Sequence, residues 1–277
     1  MLLPLLLATT LTAAEPQDIQ LDYLPPQAWA VGTQLFVAGH KVNLRAAASA
    51  EAPVVTELEL GTPVTIKALL ADDVEVAGRR GRWYAVEIQG TGQQGALFGG
   101  VLTPARIEAD LDQDGVVEVA VLTWGWDYHK VIRIHEPGLE GPAAVAQLDL
   151  GQSNDIDGPM EQMWAGITTA ADTGIPMLKL HTPGREMCGS GSATHYVSYL
   201  SPDKASKGVL REAIREHHWS DAPVYDHIEL SFEPAAMAVT ARHTSYNGED
   251  DEQITVTRHV LKDGVFEAEA PTGTHPN

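Results

Sequence analysis

Residues 109–128 read ADLDQDGVVEVAVLTWGWDY, and how the rest of the chain is parsed follows from this stretch. Asp110, Asp112 and Asp114 alternate, Gly115 comes next, and Glu118 lies four residues beyond Asp114. A tight turn at that spacing aims four carboxylates at one point, and the glycine lets the backbone reverse. Hard cations such as calcium take several oxygen ligands at once. The spacing therefore predicts a calcium site built from Asp110, Asp112, Asp114 and Glu118, with the backbone carbonyl of Val116 as a further ligand. Beyond the loop, Val116–Trp126 is apolar on both faces, as a central strand is, and Val131–Ile134 is placed to return beside it.

The loop is not an EF-hand, which needs Glu at its twelfth position; here that position is Val121, inside an apolar run of strand character. The frame D-x-D-x-D-G-x-x-E instead resembles the hairpin-borne calcium loop of integrin alpha subunits and FG-GAP repeats, in which the ninth-position carboxylate closes the site. Ser153–Glu161 reproduces the frame 43 residues later with Ser in place of the first Asp, and Asp263–Glu267 repeats only D-G-x-x-E. That offset is close to a propeller blade, so an internal repeat is one reading. Three imperfect copies are too few for a propeller, however, and Asp-Gly is common in hairpin turns for conformational reasons alone.

Upstream, Val42–Arg45, Pro53–Val55, Leu58, Gly61, Val64, Ile66, Trp83–Val86, Gly95–Leu97 and Val101–Leu102 mark short strands punctuated by Gly and Pro. This succession, over about residues 36–104, resembles the bacterial SH3-like domain. The family's order is an N-V-R opening, a P-V-x-x-x-L-x-x-G-x-x-V middle, a W-Y-x-V strand and a closing G-x-V. Ala46–Ser49 replaces the family's rigid turn after Arg45, and a charged stretch from Asp72-Asp73 to Arg79-Arg80 replaces a short connection. The resemblance implies a small barrel at 35–104 that recognises cell-wall peptides or a protein partner. Trp83 and Tyr84 are its ligand-groove candidates, although core packing is an equally physical use of such rings.

The full chain has 277 residues, 44% of them hydrophobic, which is enough for two domains with real cores. Residues 1–14 form an apolar run ending in small residues before Glu15, the pattern of a secretory signal peptide with cleavage after Ala14, though no basic residue precedes the run. The run is too short to span a bilayer, so no membrane insertion is expected. A net charge of −20 repels nucleic acid and anionic membranes. From Arg106 onward there are 12 basic and 28 acidic residues, which suits a cation-binding or merely soluble domain. Cys188 is alone, so an exported chain closes no internal disulfide.

Residues 15–34 read as a lead-in segment. In the second domain, 106–269, Trp124, Trp126 and Tyr128 share one face at the two-residue period, as a sugar-stacking platform or a buried aromatic cluster. Leu210, Ala213, Ile214 and His217 fall at helical spacing, predicting a helix over Lys207–His218. His227–Phe232, Met237–His243 and Gln253–Leu261 read as strands, followed by a turn at Asp263-Gly264, a last short strand and a flexible tail at 270–277.

An enzymatic alternative is a cell-wall peptidase or amidase using Cys188 with a histidine, because SH3-like domains are often joined to Cys/His endopeptidases of the NlpC type. That family places Asp before the Cys and Ser-Gly after it, whereas Met187 and Gly189 flank it here. No H-E-x-x-H, phosphate loop or G-x-S-x-G elbow is present. The sequence thus predicts a mainly β chain, an SH3-like barrel followed by a larger antiparallel β domain with one or two helices. Its expected role is that of a secreted or periplasmic, non-enzymatic, calcium-stabilised binding protein.

Overall fold

Alternating apolar residues and frequent glycines produce strands almost throughout. The computed structural model describes residues 19–22, 29–124, 129–139, 144–152, 162–183, 190–201, 207–249 and 251–269. The run at 1–14 expected to be a signal peptide, Trp126, Tyr128, residues 153–161, Cys188 and residues 270–277 lie outside them. The protein is mainly β, and the described residues form three antiparallel sheets.

After β1 (Ile19–Asp22), the first sheet comprises β2 (Gln34–Val37), β3 (Val42–Arg45), β4 (Val54–Leu58), β5 (Pro63–Val76), β6 (Arg79–Ile88), β7 (Gln94–Phe98) and β8 (Leu102–Thr103). They pair in the order β4-β3-β7-β6-β5-β2-β8, around one core that includes Leu35, Leu44, Ile66, Tyr84, Val86 and Leu97. The charged stretch after Ile66 is the far half of a long β5–β6 hairpin, turned at Ala77 and Gly78, both at positive φ. Arg82 Nε pairs with Asp72 Oδ1 at 2.6 Å along this arm. The arm's apolar side, Ala71, Val74 and Val76, covers Trp83, Ala96 and Phe98.

A four-stranded sheet follows, ordered β12-β11-β10-β9, from β9 (Arg106–Ala109), β10 (Glu118–Trp124), β11 (His129–His135) and β12 (Val145–Gln152). The apolar run after the acidic loop is thus a strand, and His129–His135 returns antiparallel beside it. The third sheet contains β13 (Gln162–Thr168), β14 (Met177–Thr182), β15 (Ser190–Leu200), β16 (Val209–Asp221), β17 (Val224–Glu233), β18 (Ala238–Tyr246), β19 (Gln253–Lys262) and β20 (Val265–Ala268). It is a nine-stranded meander with β1 on its outer edge. Residues 19–22, inside the expected lead-in, are therefore a strand of the sheet farthest from them in sequence.

The four-stranded sheet packs face to face on β1 and β13–β16, and Leu122, Trp124, Ile132 and Ile134 meet Met163, Leu180, Val197 and Tyr199. The other face of the large sheet curls on itself, burying Met177, Tyr196, Val239 and Phe266. Ser198 Oγ on β15 donates to the Gly264 carbonyl at 2.6 Å and ties the last hairpin across this half-barrel. Asp263 and Gly264 both have positive φ, as a two-residue hairpin turn requires. The first and second sheets meet through Ala38, Leu60 and Val121, and Arg133 Nη1 donates to the Ala38 carbonyl at 3.0 Å.

One expected element is absent. Lys207–His218 is not a helix; Val209–Asp221 is a strand paired along its length with β15. The register shifts between Tyr196 and Val197, opposite Ile214 and Glu212, leaving Ala213 as a bulge residue. Leu210 faces the sandwich core, whereas Ala213 faces the half-barrel core. Leu210 and Ala213, three apart, lie on opposite faces by ordinary alternation, and the bulge brings Ile214 onto the half-barrel side beside Ala213, so the 210/213/214 spacing mimics a helical face. The α-helical content among the described residues is one turn, α1 (Ala170–Thr173), with a Thr169/Asp172 capping box.

Candidate metal centre

The acidic loop connects β9 to β10, and its local hydrogen bonds set its geometry. Asp110 Oδ2 accepts from the Gly115 N–H at 3.1 Å, Asp112 Oδ1 from Asp114 N–H at 3.1 Å, and Asp114 Oδ1 from Val116 N–H at 2.7 Å. Glu118 Oε2 accepts from Leu111 N–H at 2.6 Å. Gln113 and Gly115 adopt positive φ, reversing the chain twice within three residues. Leu111 is buried in the sandwich core and anchors the turn from below.

Each of these carboxylates therefore spends one oxygen on the loop itself. The other oxygens of Asp110, Asp112 and Glu118 are buried without a hydrogen-bond partner. One oxygen from each of Asp110, Asp112, Asp114 and Glu118 lies within 4.8 Å of the others. Unpaired buried carboxylate oxygens are costly, and converging ones repel. Burial pushes the Glu118 carboxyl up to about 7, and the charges of Asp112, Glu136 and Asp110 add to this. Asp112 is also raised, first by burial and then by the charges of Asp114 and Asp110. A divalent cation removes both penalties, and an all-oxygen, carboxylate-rich donor set suits calcium. The residues present fit such an ion.

Two supports of this loop are unmarked in the sequence. The Ser201 backbone, just past β15, also acts on Asp112 and favours its charged form. Glu136, just after β11, is buried and accepts from the Tyr199 hydroxyl at 2.7 Å, which in turn accepts from the Gly208 N–H at 2.8 Å. Burial raises the Glu136 carboxyl, and the charges of Asp112 and Asp114 act in the same direction. The loop thus sits where the two sheets of the sandwich meet, within reach of both.

The other candidate residues are placed elsewhere. Trp83 and Tyr84 point to opposite sides of β6 and are both covered, at 4% and 1% exposure. Trp83 packs on Phe98 with ring centroids 5.9 Å apart, and the Tyr84 hydroxyl accepts from the Trp29 N–H at 3.1 Å. Neither ring presents a face to a ligand. Trp124 is a core residue of the sandwich. His195 is buried with both ring nitrogens engaged, Nε2 with Lys130 Nζ at 2.9 Å and Nδ1 with Glu212 Oε1 at 2.7 Å. Among the described residues, no helix is long and apolar enough to cross a membrane.

Fold and site together define an antiparallel β protein with a partly buried carboxylate cluster at the seam of a sandwich. No protein-family model, no curated protein and no solved structure matches the chain.

Proposed function

We propose that this is a secreted, non-enzymatic binding protein whose β-sandwich is locked by one calcium ion held by Asp110, Asp112, Asp114 and Glu118, with the Val116 carbonyl completing the set. Its SH3-like barrel at 35–104 serves recognition of a cell-wall peptide or protein partner. The observation that carries the reading is the division of labour within the loop: one carboxylate oxygen holds the turn while buried oxygens of Asp110, Asp112 and Glu118 are left for a cation. The ion's role is to let the seam between the two sheets close without charge repulsion. Because Trp83 and Tyr84 are covered, recognition by the barrel falls to its loops and strand edges.

Calorimetry on chelator-stripped protein tests this. A single calcium site is expected, with a dissociation constant of roughly 10⁻⁴ to 10⁻³ M as in extracellular modules, and it should vanish in Asp112→Ala. Absence of binding heat at millimolar calcium rejects the site. The peptidase alternative is separated by incubating wild type and Cys188→Ser with purified peptidoglycan; peptide release by wild type alone rejects the non-enzymatic reading. The engagement of both His195 ring nitrogens supports the non-enzymatic reading, since that imidazole is not free to act as a base.

A further inference from the structure

The curled half of the large sheet carries a second polar feature, remote in sequence from the acidic loop and from the first sheet. By register, Trp219, Asp226, Ser245 and Gln253 lie in one row across β16, β17, β18 and β19. Side chains alternate across a sheet, so residues two apart share a face. Along that face of β17, Asp226 is followed by Ile228, Leu230 and Phe232, and the last two pack on the half-barrel core. The concave face is thus apolar at its base and polar at its mouth.

At the mouth the row lines a cavity of about 550 Å³, bordered by Val224 and by Asn247 and Asp251 of the β18–β19 turn. Its size lies within the roughly 300–1,000 Å³ of small-molecule sites. The Trp219 Nε1 donor is buried without a hydrogen-bond partner, so the rest of this half-buried side chain is what lines the cavity. The Asp226 carboxylate is held from behind: His217 Nε2 lies 2.7 Å from its Oδ1, and His243 Nε2 lies 3.2 Å from each oxygen.

We infer that this cavity binds a neutral carbohydrate, with a sugar ring against Trp219 and its hydroxyls bonded to Asp226, Ser245 and Gln253. The row supplies one aromatic face, one acceptor-only carboxylate, one hydroxyl and one amide, and a polyol both donates and accepts at successive carbons. An anion meets Asp226, Asp251 and a chain of net charge −20. A cation finds the Asp226 charge flanked by two imidazoles, whereas a sugar hydroxyl needs only one remaining lone pair of that carboxylate. Tyr225 and Tyr246 border the cavity but pair with each other, centroids 5.7 Å apart, one position out of register with the Trp219 row.

The inference is independent of the cation site and is tested on the full chain in calcium-containing buffer. Saturation-transfer NMR is run with neutral gluco-, manno-, galacto- and N-acetylglucosamine oligosaccharides as probes. At least one is expected to receive saturation on its ring protons, with affinity reduced about tenfold or more in Asp226→Asn and in Gln253→Ala, as loss of hydrogen bonds of this kind implies. Gln253 is exposed, so its substitution leaves the fold intact if Asp226→Asn does not. No transfer to any probe at millimolar concentration overturns the inference. So does transfer that both variants leave unchanged.

Discussion

Glu118 is the residue whose ionisation the fold controls most directly. It is fully buried, and its carboxyl is raised from 4.5 to about 7. A folded-state value above the unfolded one means that the native state binds the extra proton. The resulting stability is fully present below pH 4.5 and is lost as pH rises through 7. In chelator, the metal-free protein is therefore expected to lose about 3 kcal/mol over that window from this group. His195, held below its ordinary value by burial, works in the opposite sense, gaining stability as pH rises towards 6.5. The informative readout is the difference between wild type and Glu118→Gln in urea titrations across the window. The variant keeps an acceptor for the Leu111 N–H but has no proton to release, so its curve should be flatter. Saturating calcium should reverse the wild-type trend, because the ion requires the deprotonated carboxylate.

Among the elements, the β19–β20 hairpin shows how one turn closes a curved sheet. Gly264 sits at φ +83, and a Cβ there meets Ser198 Oγ at 2.7 Å and a side-chain carbon of Leu200 at 3.1 Å. Gly264→Ala is expected to destabilise by about 1–3 kcal/mol through the left-handed backbone and the displaced Ser198 hydrogen bond. Asp263→Asn, equally at home at positive φ, should be near neutral. Equal effects of the two in thermal unfolding would refute the steric account. Strand β16 teaches a different point. Its apolar residues suit a helix by spacing and a bulged strand by partners, and eleven paired positions with β15 decide the matter, because strand formation depends on cross-strand packing more than on intrinsic preference.

At the scale of the molecule, the chain passes through the large sheet before entering the first one. β1 pairs Ile19 to Ala165 and Asp22 to Gln162, and Ile19 is packed against the sandwich core. The cleavage after Ala14 expected from the sequence would leave this strand in place. A protein beginning at Trp29 loses it, and the unfolding free energy is expected to fall by roughly 1–3 kcal/mol from the lost apolar burial and ladder bonds. The bared edge of β13 should also promote association. Urea denaturation with light scattering checks both, and an unchanged midpoint would mean that β1 contributes nothing to the sandwich. The sheet junction carries its own contacts. Thr103 Oγ1 donates to the Leu122 carbonyl at 2.6 Å, and the Leu122 N–H donates to the Ala105 carbonyl at 3.2 Å.

The sequence by itself determined what is local. The acidic loop is legible because its four carboxylates and its glycine fall within nine residues, and the Asp263-Gly264 turn because its conformation is set by the two residues that make it. Most strands are legible from alternation, and the mainly β class follows from them. The tertiary structure alone decided what joins distant residues. Glu136 and Tyr199, 63 positions apart, come together behind the acidic loop only through the packing of two sheets. The row of Trp219, Asp226, Ser245 and Gln253 exists only once four strands are in register. The burial of Trp83 depends on an arm that reads, in one dimension, as a charged connection. Chain entropy makes such long-range pairings invisible to any local pattern, because they form only when the whole sheet offsets the cost of closing the loops between them.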